Sequence, residues 1–419
     1  MPENTNIWEG FRSIGLYLVD IPLTGVLLLA FILLMTSRWE RDIFVNSLRI
    51  IIEQYGGFWW AAFLIWMVFS IVTTDEPLLA LYNTLHLAAE LFIAFWIADF
   101  VRRRQDQGLL MAFVLAGVLH SGLALAQVIK GESLGLTWLG ETQRSTMNPY
   151  GFGPQTFRGS ALAFHPNNLG GFLLVALFAC LMLFHETRLR RQQITGATAG
   201  IIITLGLLAT VSRGAIVAAI ITIPIVFGTR TFKKLHGKYR YAVPVALILA
   251  PVMIAIIILL IGGGLADSAV DRLGGWIRDP ESFGERLTFA FPDTIAVIRS
   301  SPAMGVGAGN LMVKVGEIRA GAGELLLPAH NVYPVIWAEL GIIGLTLFLG
   351  GNLFILAHLH PRNSNGVYIW GWAFTALVIA MIADFYFWGD LRSRLLLFWV
   401  IGMWWGYSLQ QHDSAGKTG

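Results

Sequence analysis

The chain has 419 residues, of which 56% are hydrophobic and 13% charged, with a net charge of +3, a pI of about 9.0 and a mean hydropathy of +0.65. About a quarter of a soluble domain is charged, so this composition excludes a water-solvated globule. A lone cysteine, Cys180, excludes a disulfide framework and a cysteine metal site. The modest positive charge fits basic loops that orient membrane helices better than a nucleic-acid surface.

The polar start, Met1 to Glu9, lacks the basic residues and small-residue cleavage site of a signal peptide. The first span is therefore expected to remain. Apolar blocks of about 20 residues match a hydrocarbon core of ~30 Å. They predict about eleven spans, at 14–36, 57–73, 78–101, 108–129, 168–184, 195–211, 214–229, 241–263, 333–356, 367–388 and 395–410. A half-span from Trp8 to Asp20 makes twelve the alternative. The fold class read from this pattern is an all-α polytopic membrane bundle. The tail, 411–419, is polar and expected to be disordered.

Basic residues fall in alternate loops. Arg38, Arg41 and Arg49 follow the first span, and Arg102, Arg103 and Arg104 the third. Arg188, Arg190 and Arg191 follow the fifth, and Arg230, Lys233, Lys234, Lys238 and Arg240 the seventh. The positive-inside rule places these loops in the cytoplasm. The two longest loops, 130–167 and 264–332, then face outward, together with the turn at Ser212 to Gly214. Loops of that length are commonly functional. The glycine-rich run 305–309 lacks the context of a dinucleotide fingerprint and reads as a turn with close backbone approach.

Polar residues in this setting need partners or a purpose. Arg213 either snorkels to the outer interface or meets an anion, for which its fork-shaped guanidinium is suited. Arg286 is either a solvated loop residue or a second anion contact. His330 either caps the ninth span or acts as a base, since a neutral imidazole accepts a proton. Asn331 follows it and Glu339 lies inside the span. The stretch that holds Arg158 and His165 leads into the fifth span; capping and ligand binding are both open for Asn167 and Asn168, and Arg158 is a further candidate anion contact. Gly341 and Gly344 suggest helix packing. His86, Glu90, Asp99 and Asp384 are embedded without assigned roles.

Four segments in order resemble the O-antigen ligase and polymerase superfamily of bacterial membrane glycosyltransferases. They are F-R-G-S…F-H-P-N-N-L-G at 157–170, S-R-G-A at 212–215, G-E-R-L…S-P-A-M-G-V-G-A-G-N at 284–310, and H-N-V-Y…E-L-G-I-I-G at 330–344. The match departs at Ala290 and Phe291. The resemblance implies a bundle akin to the GT-C class, with a long extracytoplasmic loop before the ninth span. It divides the chain into N-terminal helices (1–129), a ligase-like core (130–356) and C-terminal helices (357–410). It implies transfer of a glycan from an undecaprenyl diphosphate carrier to an acceptor hydroxyl, outside a bacterial plasma membrane. Neither a metal nor a cofactor is implied, and the chemistry would be inverting. By the motif match, Arg213 and Arg286 hold the diphosphate and His330 activates the acceptor. Arg158, His165, Asn167, Asn331 and Glu339 are the further substrate-binding candidates.

Three functions follow. A ligase would join finished glycan to a lipid A core or another acceptor. A polymerase would use a second lipid-linked repeat. A small-anion transporter would use His86, Glu90 and Asp384 along a path, but no repeated halves with broken spans occur in the sequence.

Overall fold

The computed structural model describes residues 38–141, 157–163, 165–186, 190–231, 291–319 and 328–416. The expected spans 14–36 and 241–263, the half-span after Trp8, and Arg286 lie outside these residues. The described helices are α1 (Arg38–Gln54), α2 (Gly57–Ser70), α3 (Pro77–Arg102), α4 (Asp106–Lys130), α5 (Pro166–Glu186), α6 (Arg190–Thr210), α7 (Arg213–Thr231), α8 (Phe291–Ser300), α9 (Leu311–Ile318), α10 (Val332–Ala357), α11 (Asn365–Ala383), α12 (Tyr386–Gly389) and α13 (Leu391–Ala415). No strand occurs among the described residues. Six of these helices, α3 to α6, α10 and α11, are long and apolar enough to cross a membrane. The protein is a polytopic helical membrane protein.

The helices pack as neighbours: α5 on α6, α7 on α11 and α2 on α10 run antiparallel, whereas α13 on α3 and α4 on α6 run parallel. Small residues allow the close contact of α13 with α3. A Cβ on Gly402 would lie 2.6 Å from the Ala94 carbonyl, and one on Gly406 2.5 Å from Val101 Cβ, so α13 reaches the α3 backbone only through glycine. An aromatic cluster of Trp60, Phe63, Phe348 and Phe398 fills the adjoining core. Outward faces stay apolar, with Leu85 and Leu115 about 60% and 61% exposed, as lipid contact requires.

Three expectations change. The segment before α10, expected as one long loop, carries helices α8 and α9 where it is described. The polar tail is helical to Ala415, held where Arg102 forks onto Asp413 at 2.8 and 2.9 Å. The span expected at 367–388 stops at Ala383, leaving Asp384 at its end in extended backbone.

Helix α10 is broken at Gly341, which has φ +67°. The break frees carbonyls that a continuous helix would use, and a membrane protein cannot leave these bare. Residues 302–307 supply the partners. Val306 N–H donates to the Ala338 carbonyl at 3.0 Å and Gly307 N–H to that of Glu339 at 2.7 Å. Trp66 Nε1 donates to the Leu340 carbonyl at 2.7 Å, and Ile342 N–H returns a bond to Pro302 at 3.0 Å. The close backbone approach expected of 305–309 is thus present. Gly341 does more than the helix packing expected of it.

Candidate functional site

One end of the bundle collects the starts of α5, α7, α10 and α13 and the ends of α6 and α11. Antiparallel packing alone brings these termini together, and each leaves backbone groups needing partners. Four of the side chains expected in a site are spent there.

His165 precedes Pro166, which opens α5, where a missing N–H costs nothing. Its Nδ1 accepts the Asn167 N–H at 3.1 Å, so His165 caps α5. Asn331 caps α10, its Oδ1 accepting the Tyr333 N–H at 2.9 Å. The cap that sequence left open for His330 therefore belongs to its neighbour. Arg158 donates from Nε to the Thr210 carbonyl at 2.9 Å and from Nη2 to the Val211 carbonyl at 3.2 Å, closing the end of α6. Glu339 is 6% exposed and accepts from Trp388 Nε1 at 2.8 Å and from the backbone N–H groups of Gly309 and Leu311. Trp388 also lies under Arg394, 5.1 Å from its guanidinium carbon, and Arg394 pairs with Glu90 at 2.7 Å. Glu339 thus belongs to a buried network that ties α3, α10 and α13 together, and Glu90 has its partner there.

The remaining residues form a chain. Arg158 Nη2 also donates to Asn167 Oδ1, and Asn167 Nδ2 donates to Asp384 Oδ2. The other carboxylate oxygen of Asp384 accepts the Phe385 N–H at 2.9 Å and stands 3.9 Å from Nδ1 of His330. Both side chains are largely buried, at 15% and 12% exposed. The imidazole stands edge-on to the Phe385 ring, with centroids 5.3 Å apart. Phe385, Tyr386 and His165 continue as stacked or tilted rings, 4.7 and 4.8 Å apart. A cleft beside this chain is lined by Asn167, Ser212, Asp384, Tyr386 and Ser393. Arg213 begins α7 next to Ser212 and is exposed at this same end.

Chemically, a fixed carboxylate 3.9 Å from one ring nitrogen is placed to orient the imidazole on closer approach, leaving the far nitrogen to accept a proton. Asp384 is the member that sequence reasoning did not place. Its embedding was the signal, but its partner lies 54 residues earlier, across the bundle. Arg286 lies outside the described residues.

The fold and this end-on polar site define a helical membrane protein with a buried histidine–carboxylate pair and an exposed arginine. Residues 198–349 match the family model described as O-antigen ligase. Over that stretch, which includes Arg213, His330 and Gly341, the chain carries an O-antigen ligase-like domain. No curated protein matches the chain.

Proposed function

We propose that the protein transfers a glycan from a polyprenyl diphosphate carrier to an acceptor hydroxyl, on the outer side of a bacterial plasma membrane. The observation that carries this reading is the pairing of His330 with an Asp384 carboxylate held on both oxygens, at the bundle end where Arg213 is exposed. The orientation rests on charge: Arg102, Arg103, Arg104, Arg190, Arg191 and Arg362 lie at or beside the opposite helix ends.

In this mechanism the acceptor hydroxyl attacks the anomeric carbon while His330 Nε2 takes its proton. The carbon–oxygen bond to the diphosphate breaks, and the diphosphate leaves with both electrons. Attack opposite the leaving group inverts the anomeric centre. Arg213, with Arg286, neutralises charge growing on the diphosphate, which is the larger part of the work for a leaving group already this good. Asp384 orients the imidazole and stabilises its protonated form.

The test is turnover by purified, reconstituted protein with an undecaprenyl-diphosphate-linked N-acetylhexosamine as donor and lipopolysaccharide core as acceptor. Anomeric product analysis by NMR completes it. Wild-type turnover in a folded His330→Ala protein, or retention at the anomeric centre, would sink the proposal.

A further inference from the structure

We infer that Thr294, on helix α8 of the outward segment, is a positioning residue for His330, so that α8 sets the register of the base against Asp384. The inference rests on the reading of His330 given above.

Thr294 is fully buried although it is polar, and its Oγ1 accepts the N–H of Ala329 at 3.2 Å. Ala329 is itself 1% exposed, and its carbonyl accepts the Asn331 N–H at 2.8 Å. His330 therefore sits between two residues that are each tied down. One tie runs to α8 and the other to the first turn of α10. Helix α8 is in turn anchored. Asp293 takes Arg319, at the end of α9, at 2.9 and 3.0 Å. The strap 302–307, between α8 and α9, bonds to the first half of α10 beneath His330. Trp337 of that half-helix donates from Nε1 to Pro302 at 3.0 Å.

The distance that matters is 3.9 Å between His330 Nδ1 and Asp384 Oδ1. It exceeds a hydrogen bond by less than 1 Å. A shift of that size at residue 330 decides whether the imidazole engages the carboxylate. Errors of about 1 Å in catalytic geometry cost on the order of 10²-fold in rate. The Asp384 side has its own anchors in Asn167 and Phe385. On the His330 side, the bond from Ala329 to Thr294 ties the residue immediately before the histidine to α8.

The test compares Thr294→Val, which keeps shape and removes the acceptor, with Thr294→Ser, which keeps the acceptor and removes a methyl. Both are assayed with the same donor and acceptor, per folded molecule by size-exclusion chromatography and thermal midpoint. The valine variant should lose kcat about tenfold to 10²-fold with donor KM near wild type. The serine variant should recover most of it. A valine variant with wild-type kcat, or a serine variant as impaired as valine, overturns the inference. Should valine fail to fold, Thr294→Ala removes the same acceptor with less crowding. Failure of both to fold assigns Thr294 a purely structural role and equally overturns it. His330→Ala in the same assay separates the two readings, because wild-type turnover there removes the base itself and not only its positioning.

Discussion

At the scale of single residues, the histidine and its neighbour divide two jobs that sequence left merged. Asn331 holds the helix start, and His330 is left beside Asp384. We therefore expect opposite behaviour from two alanine variants. His330→Ala should insert and melt like the wild type and lose turnover by ~10²–10⁴, the usual contribution of base assistance. Asn331→Ala should lower stability by ~0.5–2 kcal/mol, the cost of a missing cap, with turnover per folded molecule unchanged. Paired melting and turnover measurements decide, and a catalytically dead but stable Asn331→Ala would reverse the assignment. Arg213→Ala should weaken the donor more than the acceptor, read as a rise in donor KM at constant acceptor KM. Equal effects on both would return Arg213 to an interfacial role.

At the scale of elements, two devices hold the site end in shape. The first is the broken helix. A Cβ at Gly341 would lie 2.0 Å from the Ala303 carbonyl in a backbone conformation that L-residues avoid. Gly341→Ala should therefore destabilise by at least the ~1–3 kcal/mol of such backbone strain. It should also expose the strap to added protease, and an unchanged melting curve would refute that. The second is the turn after α4. Glu141, 4% exposed, accepts the N–H groups of Leu134 at 2.7 Å and Leu136 at 2.6 Å and the Gln127 amide at 2.6 Å. Burial alone would raise this carboxyl, but those donors outweigh it and hold it below its ordinary value of 4.5. Its contribution to stability is thus present above about pH 4.5 and is lost as the pH falls through the depressed folded value. Glu141→Gln turns an amide donor toward a buried N–H, at a cost of ~1–3 kcal/mol at neutral pH. The variant's deficit should shrink on acidification, as seen in melting curves, and a deficit independent of pH would contradict the role.

The same scale shows what the sequence made legible. The helices near 57–73, 78–101, 108–129, 195–211 and 333–356 were readable because an apolar run of fixed length has few alternatives in lipid. Helix α1 was not, since its apolar residues are interrupted by polar ones and only one face is buried: Phe44, Ile50 and Ile51 are buried with Ser47 while Asp42, Asn46 and Arg49 are exposed. Helices α8 and α9 escaped for a similar reason, being only 10 and 8 residues long. Of the site, His330 was readable as a chemical type. The diversion of Arg158, His165, Asn331 and Glu339 into caps and buried networks was not, because their partners are carbonyls and N–H groups whose location no side-chain pattern encodes.

At the scale of the whole molecule, the site end lies opposite the ends that carry Arg102 to Arg104, Arg190, Arg191 and Arg362, and the proposed orientation puts those far ends in the cytoplasm. A reporter fused after Arg104 or Arg191 should read cytoplasmic, and one fused between Arg299 and Arg319 should read extracytoplasmic. A cytoplasmic reading from the second fusion would remove both the orientation and the mechanism.

Helix α2 is 14 residues long, about 21 Å at 1.5 Å per residue, against a hydrocarbon core of ~30 Å. Its far end leads to Thr74, which touches the strap at Gly307. Lipid cannot stretch bare hydrocarbon over so short a helix without cost, so the outer leaflet should dip beside the strap. A dimple there would lower phosphate headgroups toward the level of the cleft. Under the proposed function, bilayer thickness then becomes a control on transfer: vesicles of shorter acyl chains should support faster transfer than those of longer chains, with the same fold and the same substrates.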